Sequence, residues 1–330
     1  MRVAMYYSLQ DVRIEEMPVP PIGPGELLVK VRASGICGSD VMEWYRAPKA
    51  PLVLGHEVAG EIVQLGEGVE GFREGDRIVA THHVPCGTCR YCATGREPYC
   101  DTLRATHFDP GGFAELVRLP AINVEKGTFK VPDEVSFEEA TFVEPLACVV
   151  RAQRVAGGVA GKTVAILGSG MSGLLHLLWA RAHKASRVVG TDVHPSRLAA
   201  ARRAGADEVL DARADVVPKS DVVIVCTAAP DAMRQAIEAA ERGGVILVFA
   251  LVPPGFEVSI PAHDLWARGV SIVPSYAGPP ADMRTALYAI ASRAVDVAGL
   301  ITHRLPLGKT AEAFRLVAAA GDSMKVIVLP

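Results

Sequence analysis

Long hydrophobic runs are missing from this sequence. The uncharged stretch from Val164 to Ala180 is shorter than a bilayer span and is interrupted by Gly168, Ser169, Gly170, Ser172 and Gly173, so no membrane segment is expected. An apolar leader is also lacking. Gln10, Asp11, Arg13, Glu15 and Glu16 stand where a signal peptide needs its apolar stretch, which makes a cytoplasmic location the expectation. Nor is there an excess of charge of one sign. Lysine and arginine number 34 against 37 acidic residues, and a net charge of −3 argues against nucleic acid as a partner. No internal repeat or low-complexity tract is visible. What remains is 330 residues, 50% hydrophobic and 22% charged, the composition of an ordinary soluble chain of about two domains.

Seven cysteines are present, an odd number, and four of them, Cys86, Cys89, Cys92 and Cys100, fall within fifteen residues. That grouping suits metal thiolates in a reducing compartment better than disulfides. Four thiolates close a tetrahedral zinc shell with no open position, so a zinc there would brace a lobe at 86–100 and do no chemistry. Tyr91, Arg96 and Tyr99 read as packing and surface of that lobe, and Cys148 and Cys226 as core thiols. A second grouping is Leu54 to Gly60, containing His56 and Glu57, taken with Cys37 upstream and Glu144 downstream. Thiolate, imidazole and carboxylate are ligand types of zinc, and three protein ligands with an exchangeable fourth position is the catalytic arrangement. His56 and Glu57 alone are ambiguous, because adjacent residues of a strand point to opposite faces.

The N-terminal third reads as short strands punctuated by proline and glycine, the text of a small barrel. Ser136 to Phe142 opens a helix with a serine cap and early acidic residues, expected to carry Glu144 at its end. Lys162 to Leu167 is a strand that runs into Gly168-x-Gly170-x-x-Gly173 and a helix to about His183. The glycines let amides at the helix start, near Met171 and Ser172, approach a pyrophosphate. The next strand ends at Asp192, 19 residues beyond Gly173, where a carboxylate accepts from a ribose 2′-hydroxyl and repels a 2′-phosphate, favouring NAD over NADP. Arg197 either pairs with Asp192, covers the adenine, or is a solvated helix residue. His176 reads as a packed core histidine. Strands then alternate with helices to Val273, which implies an α/β chain with a doubly wound parallel sheet. The strand ends at 250–252 and 275–276 are the places for a nicotinamide.

Taken in order, Gly35-Ile36-Cys37-Gly38-Ser39-Asp40, Gly55-His56-Glu57, the four cysteines, Glu144-Pro145 and the glycine loop resemble the zinc-dependent medium-chain alcohol dehydrogenases, nearest the polyol and threonine dehydrogenase branch. The resemblance implies a partly open, GroES-like β-barrel catalytic domain at 1–147 and 278–330 with a structural-zinc lobe at 86–100, and a Rossmann domain at 148–277, with catalytic zinc and nicotinamide meeting in the cleft between domains. It implies two zincs per chain. The catalytic one would be held by Cys37, His56 and Glu57 or Glu144 and would act as a Lewis acid, while hydride passes from a secondary alcohol or polyol to NAD and Ser39 accepts the hydroxyl proton. A homodimer or homotetramer is implied as well. Two departures stand out. Relatives often carry a relay histidine where this chain has Met42, and the 19 residues from Cys37 to His56 are a short interval. Trp44 and Tyr45 in it are either an apolar wall or plain packing. The rival readings are a zinc-free quinone or enoyl reductase of the same fold and a non-catalytic, zinc-braced NAD-binding regulatory protein.

Overall fold

Along Leu27–Gly35 only Lys30 and Arg32 are exposed, and the other seven residues are buried. A strand that is apolar on nearly every position belongs in the middle of a sheet, with cover on both faces. In the computed structural model, which describes residues 1–330, it lies centrally in a seven-stranded mixed sheet. The order runs Ile301–Pro306, Lys325–Leu329, Leu27–Gly35, Glu57–Leu65, Arg77–Ala80, Thr128–Lys130, with Leu116–Leu119 also pairing on Leu27–Gly35. All pairs are antiparallel except that between Ile301–Pro306 and Lys325–Leu329. The C-terminal strand thus lies directly beside an early one. A second, antiparallel sheet joins Asp11–Glu16, Arg2–Ser8 and Leu52–Val53. Irregularities at Leu28/Val29 and Val31/Ala33 break the ladder with Glu57–Leu65, the means by which a sheet bends toward a barrel. The apolar filling comes from Leu27, Val29, Ile62, Ile78 and Leu119 in one cluster and Tyr6, Phe113, Phe314 and Val328 in another.

These elements form one compact unit, residues 1–147 with 277–330; the other unit is 148–276. The helix expected from Ser136 is shorter than the sequence pattern suggests. It covers Phe137–Ala140, capped by a reciprocal Ser136–Glu139 box, and a separate helix spans Val143–Val155. Glu144 therefore lies in the first turn of the second helix, not at the end of the first. Pro145 explains the break. It has no N–H and its ring clashes inside a helix, but in a first turn the N–H has no intrahelical partner to lose.

In residues 148–276 six parallel strands lie in the order Glu208–Asp211, Arg187–Asp192, Thr163–Leu167, Ser220–Val225, Ala240–Val248, Ser271–Pro274. The first strand in sequence is central and the chain winds outward from it to both sides, the doubly wound arrangement whose reversal point lies beside Thr163–Leu167. The helices Met171–Ala182, Pro195–Arg203 and Pro230–Ala239 cover the sheet. No helix of the chain is long and apolar enough to cross a membrane.

His176, in the helix after the glycine loop, is fully buried. Gln153 donates to its carbonyl at 2.8 Å and lies 3.1 Å from Nδ1, and the ring meets Phe249 edge-on at 4.5 Å. Burial pushes its pKa down to about 3, so the folded chain keeps the ring neutral where the unfolded chain takes up a proton. Stability from this site is present above the ordinary histidine pKa and is lost as pH falls from about 6.5 toward about 3, with a slope of at most about 1.4 kcal/mol per pH unit. Urea unfolding of the parent and of His176→Asn between pH 7 and pH 5 should show the shallower pH dependence in the variant. Parallel slopes would mean that the ring is not held neutral.

Candidate metal centres and dinucleotide site

Cys37 follows the end of strand Leu27–Gly35 and His56 precedes the start of strand Glu57–Leu65. The two strands are antiparallel, with Gly35 opposite Glu57, so their neighbouring ends bring both residues to one place. Gly55 has φ +101°, and a Cβ there would meet the Phe113 amide nitrogen at 2.8 Å. The chain turns at this glycine, and His56 stands outside the β-ladder. Because His56 is not part of the strand that Glu57 opens, the alternation that would send the two to opposite faces does not apply to this pair. Cys37, His56 and Glu57 each bring a donor atom within 4.8 Å of the other two. A thiolate, an imidazole and a carboxylate at that spacing fit zinc. Glu144 is 6% exposed, and its carboxylate lies outside this group of three.

Two carboxylates hold the group in shape. Asp40, fully buried, accepts from the Cys37 amide at 3.1 Å and lies 3.5 Å from His56 Nδ1. Burial opposes the ionisation of Asp40, but His56, Arg46 and the Cys37 amide outweigh it and keep the carboxyl below its usual pKa. Burial likewise disfavours a charged His56, yet Asp40, together with Cys37, lifts that pKa well above the ordinary value. A carboxylate on one ring nitrogen fixes the orientation of the ring and leaves the other nitrogen for a metal. The second carboxylate, Glu57, forms an ion pair with Lys325 of the C-terminal strand, and both side chains are closed to water, at 2% and 1% exposed. Phe142 lies under the ammonium at 5.3 Å. Gly35 is required beside this pair, because a Cβ there would run into the Glu57 carboxylate and meet Lys325 Cε at 2.6 Å.

Ser39 lies two residues beyond Cys37, and Arg46 donates to its hydroxyl at 2.9 Å. The His82 ring lies tilted against its neighbours, its centroid 4.9 Å from that of His56 and 3.7 Å from that of His83. Burial, then the charges of His83 and His56, push the His82 pKa well below its usual value. Burial takes His83 to about 4, partly offset by the Leu103 carbonyl. Both rings are neutral neighbours of the site at pH 7. Trp44 and Tyr45 pack against each other at 5.7 Å, and Tyr45 lies under both Arg46 and Lys49.

The four cysteines at 86–100 also converge, with all their sulfurs within 4.8 Å. A zinc tetrahedron with bonds of about 2.3 Å has edges of about 3.8 Å. The Cys86–Cys92 and Cys89–Cys92 sulfurs are 3.9 and 3.5 Å apart, so the donor set fits such an ion. None of the seven cysteines is in a disulfide. Amides of Thr88 and Cys89 point at Cys86 Sγ from 3.4 and 3.3 Å and, with the Thr88 hydroxyl, bring that thiol down to about 5. Burial and the neighbouring sulfurs raise Cys92 to about 12.

In the second unit, Gly168 has φ +96°, and a Cβ on Gly173 would collide with the Gly168 carbonyl. The first glycine makes the turn out of the strand and the third lets the helix start close against it, leaving the amides of Met171 and Ser172 at a helix N-terminus. Gly168 and Gly170 line a cavity of about 980 Å³ with Asp192, His194, Arg197 and Thr227. Asp192, 6% exposed, accepts from the amides of Ser169 at 2.9 Å, Val193 at 2.8 Å and His194 at 3.0 Å. Its carboxylate therefore ties the glycine loop to the next strand. Arg197 is 3.9 Å from it, a long ion pair.

Arg46, His82 and Lys325 belong to this picture without standing out in the sequence, and Asp40 stood in the cysteine motif without a role. The one available signal was Lys325, a charged residue opening a strand that is otherwise apolar. Lys325→Met leaves the Glu57 carboxylate buried and unpaired, with an expected loss of about 3–5 kcal/mol of unfolding free energy. Adding Glu57→Gln should recover much of that loss. Denaturant titration of the single and double variants reads both, and a single variant as stable as the parent would show that the pair is not closed to water.

Residues 23–133 match the family model of the alcohol dehydrogenase GroES-like domain, and residues 173–292 that of the zinc-binding dehydrogenases. The chain is 35% identical to a sorbitol dehydrogenase of Bombyx mori over 98% of its own length and 97% of the relative's. It is 33% identical to an L-threonine 3-dehydrogenase of Chelativorans sp. (strain BNC1), over 96% and 94%. In structure it is similar to a putative zinc-binding dehydrogenase from Sinorhizobium meliloti 1021 bound to NADP, with a TM-score of 0.90 and 29% identity, covering 100% of this chain and 99% of the other. Relatives of that identity, spanning nearly the whole of both chains, make this chain a member of the zinc-dependent medium-chain alcohol dehydrogenase family.

Proposed function

We propose that the chain oxidises a secondary alcohol or polyol to the ketone with NAD as hydride acceptor, using one catalytic and one structural zinc. The observation that carries this reading is the convergence of the Cys37, His56 and Glu57 donors within 4.8 Å. It counts against a zinc-free reductase, which has no use for those donors, and the glycine loop in the other unit supplies the place for the hydride acceptor. Residues 1–147 with 277–330 are the catalytic unit in this reading, and 148–276 the dinucleotide unit.

Zinc bound at the open site supplies Lewis acidity to the substrate oxygen. The protein's part is the rest. Cys37 and His56 hold the metal, and Asp40 orients His56 through Nδ1. Glu57 is neutralised by Lys325, so it closes the site electrostatically at low net charge, with Glu144 as the other candidate ligand. Ser39 accepts the hydroxyl proton, and Met42, a thioether, cannot pass that proton on. The amides at Met171 and Ser172 hold the pyrophosphate. Asp192 stands where the adenosine ribose belongs and repels a 2′-phosphate there, which favours NAD even though the Sinorhizobium meliloti relative is bound to NADP. The names of the Bombyx mori and Chelativorans relatives support a substrate whose hydroxyl has a polar neighbour, a second hydroxyl or an amino group. A cytoplasmic homodimer or homotetramer completes the reading.

The test is a screen of polyols, 2,3-diols, threonine and simple secondary alcohols for NADH formation, with metal analysis of the same sample. Two zincs per chain are expected. Mild chelation should empty the open site and abolish turnover while the fold survives, because a closed thiolate shell releases metal more slowly. One zinc or none in active protein contradicts the reading. For the cofactor, Asp192→Ser should lower kcat/KM with NAD by about 1–3 kcal/mol in activation free energy and narrow the gap to NADP. An unchanged preference would move the discrimination to another residue.

A further inference from the structure

Met42 leaves Ser39 without an imidazole neighbour, yet its hydroxyl is not unattended. Arg46 Nη2 donates to Ser39 Oγ at 2.9 Å and to Asp40 Oδ1 at 3.1 Å, while Nε donates to the Ser39 carbonyl at 3.0 Å. The same Asp40 oxygen lies 3.5 Å from His56 Nδ1, and the other accepts from the Cys37 amide. One guanidinium therefore spans the hydroxyl that meets the substrate and the carboxylate that orients a metal-binding ring. It is itself held: its side chain is 14% exposed, and its charge lies 4.8 Å from the centroid of Tyr45. The local chain makes this reach possible, because the short helix Glu43–Arg46 begins directly after Met42 and turns Arg46 back over Ser39.

We propose that Arg46 is a positioning residue of this site, fixing Ser39 Oγ and Asp40 as one unit in the place that a relay histidine would otherwise serve. The inference rests on the proposed function insofar as Ser39 takes the substrate proton. A hydroxyl has one donor and two acceptor positions. Arg46 fills one acceptor position, which leaves one lone pair for the incoming hydroxyl and turns the serine's own hydrogen away toward a further acceptor. A guanidinium has no acceptor and stays protonated in proteins, so Arg46 cannot carry the proton onward. The proton leaves Ser39 through water. A lysine cannot substitute, since a point charge on a flexible stem does not reproduce the fork that reaches Oγ, Oδ1 and a carbonyl together.

The experiment compares Arg46→Ala, Arg46→Lys, Ser39→Ala and the double Arg46→Ala/Ser39→Ala variant. Three quantities are read: kcat with and without added guanidinium ion, the rate at which a chelator takes zinc from the open site, and the thermal midpoint. Both Arg46 variants should lose about tenfold to a hundredfold in kcat, as for a charge-assisted hydrogen bond, with KM little changed. Zinc release from the open site should become several-fold faster, because Asp40 is no longer pinned against His56. Guanidinium should restore part of kcat in Arg46→Ala and none in the double variant. Arg46→Lys keeps the charge and covers the case in which Arg46→Ala does not fold. Parent-like kcat and zinc release in either variant overturn the inference, as does equal guanidinium rescue with and without Ser39. If the parent oxidises no alcohol, the proposed function fails, and the chelator rates still decide whether Arg46 braces Asp40 and His56.

Discussion

A carboxylate and an ammonium closed off from water lie beneath the candidate zinc site, and the first unit is assembled around them. Glu57 opens one strand and Lys325 another, 268 positions apart, and their side chains meet over Gly35 of the strand between, where a Cβ would run into both. Removing two charges from water is costly, so such a pair persists only where its geometry is closely held. Here it is held by the sheet itself, since Gly35 pairs with Glu57 on one side and Ile327 on the other. The return of the chain to the first unit after residue 276 is what delivers the ammonium. Without it, Glu57 would bring a full negative charge to a site that already holds a thiol and is bordered by Asp40.

The two candidate zinc sites differ in the way their chemistry requires. At 86–100 the four sulfurs come from one short segment and are met by backbone amides, which suits a metal that only holds a loop. At the other site the donors come from strand ends, and each has an outside partner: Asp40 for His56, Lys325 for Glu57, and the hydrogen-bonded Asp40–Arg46 pair between Cys37 and Ser39. In the second unit Asp192 has a comparable double part. Its carboxylate, proposed above to read a ribose, ties Ser169 of the glycine loop to the end of the next strand.

Features whose determinants are close in sequence were legible before the structure. The cysteine lobe is read from the spacing of four residues, and the dinucleotide loop from strand, glycines and helix in immediate succession. The doubly wound sheet followed from alternation, and its strand order agrees with it. What depended on distant pairing was not legible. Lys325 opens a strand near the far end of the chain, and only the sheet order places it against Glu57. Arg46 sits in a stretch that reads as loop, and its reach to Ser39 depends on one helical turn. Glu144 was expected at a helix end and lies at a helix start, because Pro145 favours a first turn. His56 and Glu57 converge because His56 stands outside the strand that Glu57 opens, a boundary the sequence pattern does not show.

The chemistry proposed for this chain requires an open zinc site made of one sulfur with nitrogen and oxygen, distinct from a closed site of four sulfurs. X-ray absorption at the zinc edge tests it directly, before and after mild chelation of the exchangeable ion. Mixed sulfur and nitrogen/oxygen neighbours are expected in the full protein, with sulfur at about 2.3 Å and the lighter atoms at about 2.0–2.2 Å. After chelation the remaining zinc should show four sulfurs alone, and turnover should be gone. A sulfur shell that is unchanged by chelation while activity disappears, or loss of the sulfur-rich zinc first, would contradict it.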